Sequence, residues 1–217
     1  MNREQSLHAI LIHGMGRTPL AMSLLAMRLR ANHIHPHLFG YSVTFERWDK
    51  CTQRLEKFIR QRVGDHEYIV IGHSMGTVLT RTVLPRLIHK PLACFFLTPP
   101  TRVCKMARII TPRRTARLLG GEFAQRLADD QFMDSLPPTG VPTKIYAGTA
   151  GPRGRCSPFG DEPNDGVLMV KETMLPGVPL QTVPILHPFI MNSKIVTRDI
   201  LKLTKDHGQQ HRPTFPI

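Results

Sequence analysis

Acidic side chains are scarce: 16 Asp and Glu stand against 29 Lys and Arg in 217 residues, a formal net charge of +13 with an isoelectric point near 10.3. A surface this basic disfavours cationic partners and favours anionic ones. Aromatic residues are also few, at 6% with one Trp, and they form no stacking pattern beside the charge, so no specific nucleic-acid partner is expected. The four cysteines, Cys51, Cys94, Cys104 and Cys156, show neither CxxC nor zinc-ligand spacing. A chain with an ample core does not need them as disulfide staples, and reduced thiols in a cytoplasm are the expected state. No apolar run is long enough to span a membrane. The first apolar stretch is short and leads into His13-Gly14, so it reads as a strand and not as a secretory leader. Repeats, a nucleotide-binding fingerprint and a metal-ligand set are absent too, and neither cofactor nor metal is expected. His33, His35 and His37 alternate and would share one face of a strand, but no acids or cysteines accompany them.

What the chain does have is a globular composition, 41% hydrophobic, enough to bury the core of one domain over residues 1–206, with 207–217 read as a flexible tail. Short apolar segments alternate with amphipathic ones. This pattern predicts a doubly wound, mostly parallel α/β sheet of about six strands with helices on both faces. The strands are expected at Ala9–Ile12, Leu38–Val43, Tyr68–Ile71, Cys94–Leu97, Thr143–Ala147 and Gln181–Leu186. Helices are expected over Leu20–Ala31, Arg47–Val63, Met75–Ile88 and Phe189–Lys205.

The third strand runs into Gly72-His73-Ser74-Met75-Gly76, a nucleophile elbow that throws a serine hydroxyl to the top of a sheet. Such a serine needs a base, and the base needs an acid to fix its tautomer. In this class of sheet they follow in the order acid, then histidine, on loops at the carboxyl ends of later strands. Of the eleven histidines, only His187 directly follows a strand downstream of a loop rich in acids. Asp161, Glu162 and Asp165 compete for the acid role. Asp165 is preferred because Asp-Gly forms a tight turn that aims a short carboxylate back at the sheet, and Asp161 is the runner-up. After the first strand, His13-Gly14-Met15-Gly16 has the shape of an oxyanion loop. There the amide of Met15 would pair with that of Met75.

The strings LIHGMGRTPLAM, GHSMG, PNDGVLMVKETMLPG and HPFIMNS resemble the α/β-hydrolase superfamily, and within it small bacterial serine lipases and esterases without a large cap. The resemblance covers about Ile10 to Leu203. It implies Ser74 as nucleophile, Asp165 as acid, His187 as base, and the amides of Met15 and Met75 as the oxyanion hole, with no cofactor needed. Two positions depart from the pattern: Thr77 replaces a glycine, and Pro188 replaces a small polar residue after the histidine.

Residues 101–140 leave the sheet beside this site as a lid or a pocket-forming excursion. From Thr101 to Gly121 they carry Arg102, Lys105, Arg108, Arg113, Arg114 and Arg117 and no acid. The bland reading, helices with a solvated basic face, is preferred over a lid that contacts anionic membrane through 101–120. Function is read as ester hydrolysis on a small-molecule or lipid ester. A thioesterase or acyltransferase would use the same residues, and a non-catalytic basic module on the same fold is the alternative of another class.

Overall fold

The computed structural model describes residues 6–110, 114–155 and 157–205. The tail 207–217, Cys156 and Arg113 lie outside them, as do the side chains of Arg114 and Arg117.

Six strands, β1 (His8–Ile12), β2 (His35–Phe39), β3 (Tyr68–His73), β4 (Ala93–Leu97), β5 (Thr143–Gly148) and β6 (Leu180–Val183), form one sheet in the order β2-β1-β3-β4-β5-β6. Every pairing is parallel. The central strands are apolar at successive positions because both faces are covered, and their alternation divides the core in two. Ile10, Ile12, Val70, Cys94 and Phe96 face helices α2 (Trp48–Val63) and α3 (Met75–Val83), meeting Leu55, Ile59, Val78 and Val83. Ala9, Leu11, Ile69, Ile71 and Phe95 face α1 (Ser23–Arg30) and α7 (Lys194–Lys205), meeting Leu25, Leu29, Val196 and Ile200.

The expected helices exist, but three of them are interrupted. The first begins as a 3-10 turn, Pro19–Met22. The third tightens into Leu84–Arg86 at Pro85, whose ring cannot continue the hydrogen-bond ladder. The last is split: a 3-10 helix spans His187–Asn192, and Ser193 then turns the chain, its Oγ accepting from Val196 N at 3.3 Å to open α7. The second strand was expected at Leu38–Val43 and lies instead at His35–Phe39. His33 adopts a left-handed φ of 62° just after α1, which starts the strand early. Pro36 is tolerated there because β2 is an edge strand. The last strand ends at Val183, before Pro184.

Residues 101–140 contain α4 (Lys105–Ile110), α5 (Arg114–Leu127, kinked at Gly121) and α6 (Asp130–Ser135). Their inner side chains belong to the main core: Phe123 is fully buried against Tyr41 and Trp48, joined by Leu127, Met133 and Leu136. Glu122 ties α5 to the start of α2 by accepting from Trp48 N at 2.8 Å. Arg108 pairs with Asp130 on the solvent side. Cys51, Cys94 and Cys104 are buried free thiols, and burial pushes Cys51 up to about 12.

Candidate active site

Because every strand is parallel, the loops after β1, β3, β5 and β6 all emerge at the same edge of the sheet. Ser74 sits between β3 and α3 at φ 50° and ψ −120°, a conformation that L residues rarely adopt and that is worth about 1–3 kcal/mol of strain. The surroundings hold it there. Its amide donates to Leu97 O at 2.9 Å. Its carbonyl accepts from both the amide of Thr77 and the Thr77 hydroxyl, at 2.9 and 2.7 Å. Thr77, the departure from the family pattern, is thus a hydroxyl clamp on the turn. Gly76 has no alternative: a Cβ there would collide with the carbonyls of Ile12 and His13, so the start of α3 rests directly on the end of β1.

The loop after β1 passes over the elbow. A Cβ on Gly14 would lie 3.1 Å from Ser74 Cβ and 2.7 Å from His73 Nδ1. Met15 follows at 38% exposure, whereas Met75, first residue of α3, is fully buried. His13 and Tyr41 shape this loop. Their rings stack at 4.3 Å, His13 Nδ1 donates to Gly14 O, and the Tyr41 hydroxyl donates to His13 O at 2.9 Å. Burial lowers the pKa of His13 and keeps it neutral for that arrangement.

Asp165 is 1% exposed in the loop after β5, and His187 opens the 3-10 helix after β6. Asp165 Oδ2 accepts from His187 Nδ1 at 2.7 Å. The other oxygen, Oδ1, accepts from the amides of Val167 and Leu168 at 2.9 and 2.7 Å, so the carboxylate cannot rotate freely. Pro188 pre-sets the first turn after the histidine. Asp161 and Glu162 are exposed on the same loop, and Glu162 pairs instead with Lys171.

Sequence reasoning passed over three residues that hold this site. His73 is buried beneath it. Its Nε2 donates to His187 O at 3.0 Å, its ring lies 4.9 Å from that of His187, and its Nδ1 has no partner among the described residues. Burial first, and the neighbouring His187 second, push its pKa well below the ordinary histidine range. Asn164 is fully buried, donates to the carbonyls of Pro152 and Glu162, and accepts from Gly166 N, which folds the acid loop. Glu172 accepts from Lys105 N and Met169 N, joining that loop to the start of α4. Each is a common residue type whose partners are distant in sequence or bonded through backbone, so no local pattern marks it.

His35 and His37 do share a face, against His8, with ring centroids 5.3 and 5.0 Å away. No group that could hold a metal ion occurs among the described residues. Nor is any helix among them long and apolar enough to cross a membrane.

A model described as the Alpha/beta hydrolase family matches residues 9–191. Among solved structures, the mature lipase BlEst2 of Bacillus licheniformis superposes with a TM-score of 0.69 at 18% identity, covering 93% of this chain and 94% of that one. A putative hydrolase of the alpha/beta superfamily from Xanthomonas campestris pv. campestris gives 0.61 at 16% identity, with 92% and 98% covered. The RedJ thioesterase of the Streptomyces coelicolor prodiginine pathway gives 0.56 at 14%, with 94% and 86% covered. At these identities the likeness is one of fold. Comparison with curated proteins finds no significant match.

Proposed function

The chain belongs to the alpha/beta hydrolase family, and from that premise we propose that it is a serine hydrolase that cleaves carboxylic esters through an acyl-enzyme on Ser74. The observation that carries this reading is the buried pair Asp165 and His187, joined at 2.7 Å at the same sheet edge as a serine in strained backbone geometry. With Nδ1–H committed to Asp165, Nε2 of His187 is the free base. It takes the Ser74 proton as Oγ attacks the acyl carbonyl, then returns it to the leaving alcohol. Water repeats the sequence in reverse to release the acid. The amides of Met15 and Met75 receive the oxyanion, each donor being worth about 10²–10³ in rate. His73, held neutral by burial, adds no competing positive charge beside His187 when the imidazolium forms.

The test is to incubate wild type and Ser74→Ala with a fluorophosphonate probe and with p-nitrophenyl esters of increasing acyl length. Labelling and hydrolysis that vanish together in Ser74→Ala are expected. Absence of both in the wild type overturns the proposal. A parallel series of thioesters reports the preferred leaving group, since the same residues serve either.

A further inference from the structure

Helix α1 and the 3-10 turn before it are apolar on two sides. Met22, Leu25, Ala26 and Leu29 are buried against the sheet, as one amphipathic face requires. Leu20, Leu24 and Met27 repeat at i, i+4 and i+7 on the solvent side, 76, 38 and 68% exposed. The elements packed beside them extend the feature. The 3-10 helix His187–Asn192 adjoins both Pro19–Met22 and α1, and α7 adjoins α1. Those neighbours add Phe189 and Ile195, each about half exposed. Single exposed apolar residues need no explanation, but a group of large ones on adjoining elements does.

The charge around this surface is of one sign. Residues 13–45 and 173–198 contain no Asp or Glu, and their cations are Arg17, Arg28, Arg30, Lys194 and Arg198. None of these meets a carboxylate among the described residues. Arg28 donates to Asn192 O at 2.7 Å and so fastens α1 to the helix that carries His187. The other four are exposed. Asp199, the acid of α7, is held by Lys144 and Tyr146.

The surface also borders the candidate active site. Leu20 follows Met15 by five residues, and Phe189 follows His187 by two. A Cβ on Gly40 would lie 2.7 Å from the Pro19 ring, so the turn carrying Leu20 is seated just past the carboxyl end of β2, at the sheet edge where Ser74 lies.

We propose that this surface docks on an anionic lipid bilayer, with Leu20, Leu24, Met27, Phe189 and Ile195 entering the interface and Arg17, Arg30, Lys194 and Arg198 meeting lipid phosphates. Apolar insertion and attraction of cations to anionic head groups act together at such a boundary. A second copy of the chain is the poorer occupant, because packing face to face would oppose the same cations with no acid between them. Docked this way, the edge bearing Ser74 and His187 lies beside the membrane. The docking itself does not rest on the reaction proposed there.

The experiment is co-sedimentation of the full chain with vesicles of phosphatidylcholine alone and of an equal mixture with phosphatidylglycerol, at low and high salt. Wild type is expected to bind the mixed vesicles at least about tenfold more tightly at low salt, and the preference should shrink at high salt. Leu20→Gln and Met27→Gln combined should weaken that binding by about tenfold or more. Lys194→Gln and Arg198→Gln combined should weaken binding to mixed vesicles by about tenfold and leave binding to phosphatidylcholine unchanged. All four positions are exposed, so the fold is not at stake. Ile88→Gln is the control: Ile88 is fully exposed in the segment leading into the amino end of β4, away from this surface, and should change nothing.

Absence of binding to mixed vesicles, equal binding to both kinds, or binding unchanged in the Leu20 and Met27 variant overturns the proposal. A loss seen in Arg102→Gln with Lys105→Gln but not in that variant also overturns it, since the contact would then lie on residues 101–120. So does a dimer in light scattering that the Leu20 and Met27 substitutions abolish, which would make the surface an interface between copies. Binding is read without turnover, so its failure leaves the Ser74 experiment untouched.

Discussion

Asp165 holds His187 at two points: its carboxylate accepts from the ring Nδ1 at 2.7 Å, and its main-chain carbonyl accepts from the His187 amide at 2.9 Å. Backbone and side chain are therefore registered together. The two bonds tie the loops after β5 and β6 together, and a side-chain change at residue 165 acts on the ring and its tautomer while the main-chain bond remains.

For the proposed hydrolase, Asp165→Asn should lower turnover of p-nitrophenyl butyrate by about 10⁴, because an amide can present its NH₂ to Nδ1 and so favour the wrong tautomer. Asp161→Asn, on the exposed part of the same loop, should stay within about twofold. Steady-state kinetics of the two variants checks the ranking, and the reverse order would reassign the acid.

The strain at Ser74 is measurable apart from activity. Ser74→Gly should unfold at higher denaturant than Ser74→Ala, because glycine adopts φ 50° freely while alanine keeps the penalty. After glycine's larger unfolded-state entropy is deducted, a difference of about 1 kcal/mol remains. Urea melts of both proteins give the number, and equal midpoints would mean that the turn is not strained.

Phe123 reports whether the excursion after β4 is a docked part of the core. It is fully buried between Tyr41 and Trp48. Phe123→Ala should cost about 3–5 kcal/mol in a urea melt, as for other large buried aromatics. A loss under about 1 kcal/mol would be the behaviour of a loosely held lid.

The histidines at the far edge of the sheet predict an acid sensitivity. Burial first, then the charges of His8, Arg62, His35 and Arg30, lower His37 from 6.5 to about 4. His8 is lowered as well, with His66 stacked on it. Between those two values the unfolded chain binds more protons at His37 than the native one, so stability rises with pH across this window and is lost as pH falls through it. His37→Gln removes that part of the dependence. Melting temperatures between pH 4.5 and 7 should converge for variant and wild type on the acid side, whereas parallel curves would exclude His37 as a source.

Local periodicity carried most of the architecture. Apolar runs such as Tyr68-Ile69-Val70-Ile71 mark buried parallel strands because both faces are covered. The elbow is legible because a strand, a serine flanked by glycines and a helix are adjacent in the chain. The edge strand was misplaced because its boundary depends on the φ of His33, and no apolar pattern encodes that angle.

The choice among Asp161, Glu162 and Asp165 rested on turn chemistry alone in the sequence. In three dimensions it becomes a difference between two exposed carboxylates and one buried against His187. His73 beneath His187, Asn164 inside the acid loop and Glu172 between two loops were legible in no sequence pattern. The reason is physical: helix and strand periods are set by neighbours a few residues apart, so the chain by itself determines its elements. The pairing and burial of a polar side chain depend on residues tens to more than a hundred positions away, and only the packed sheet decides them.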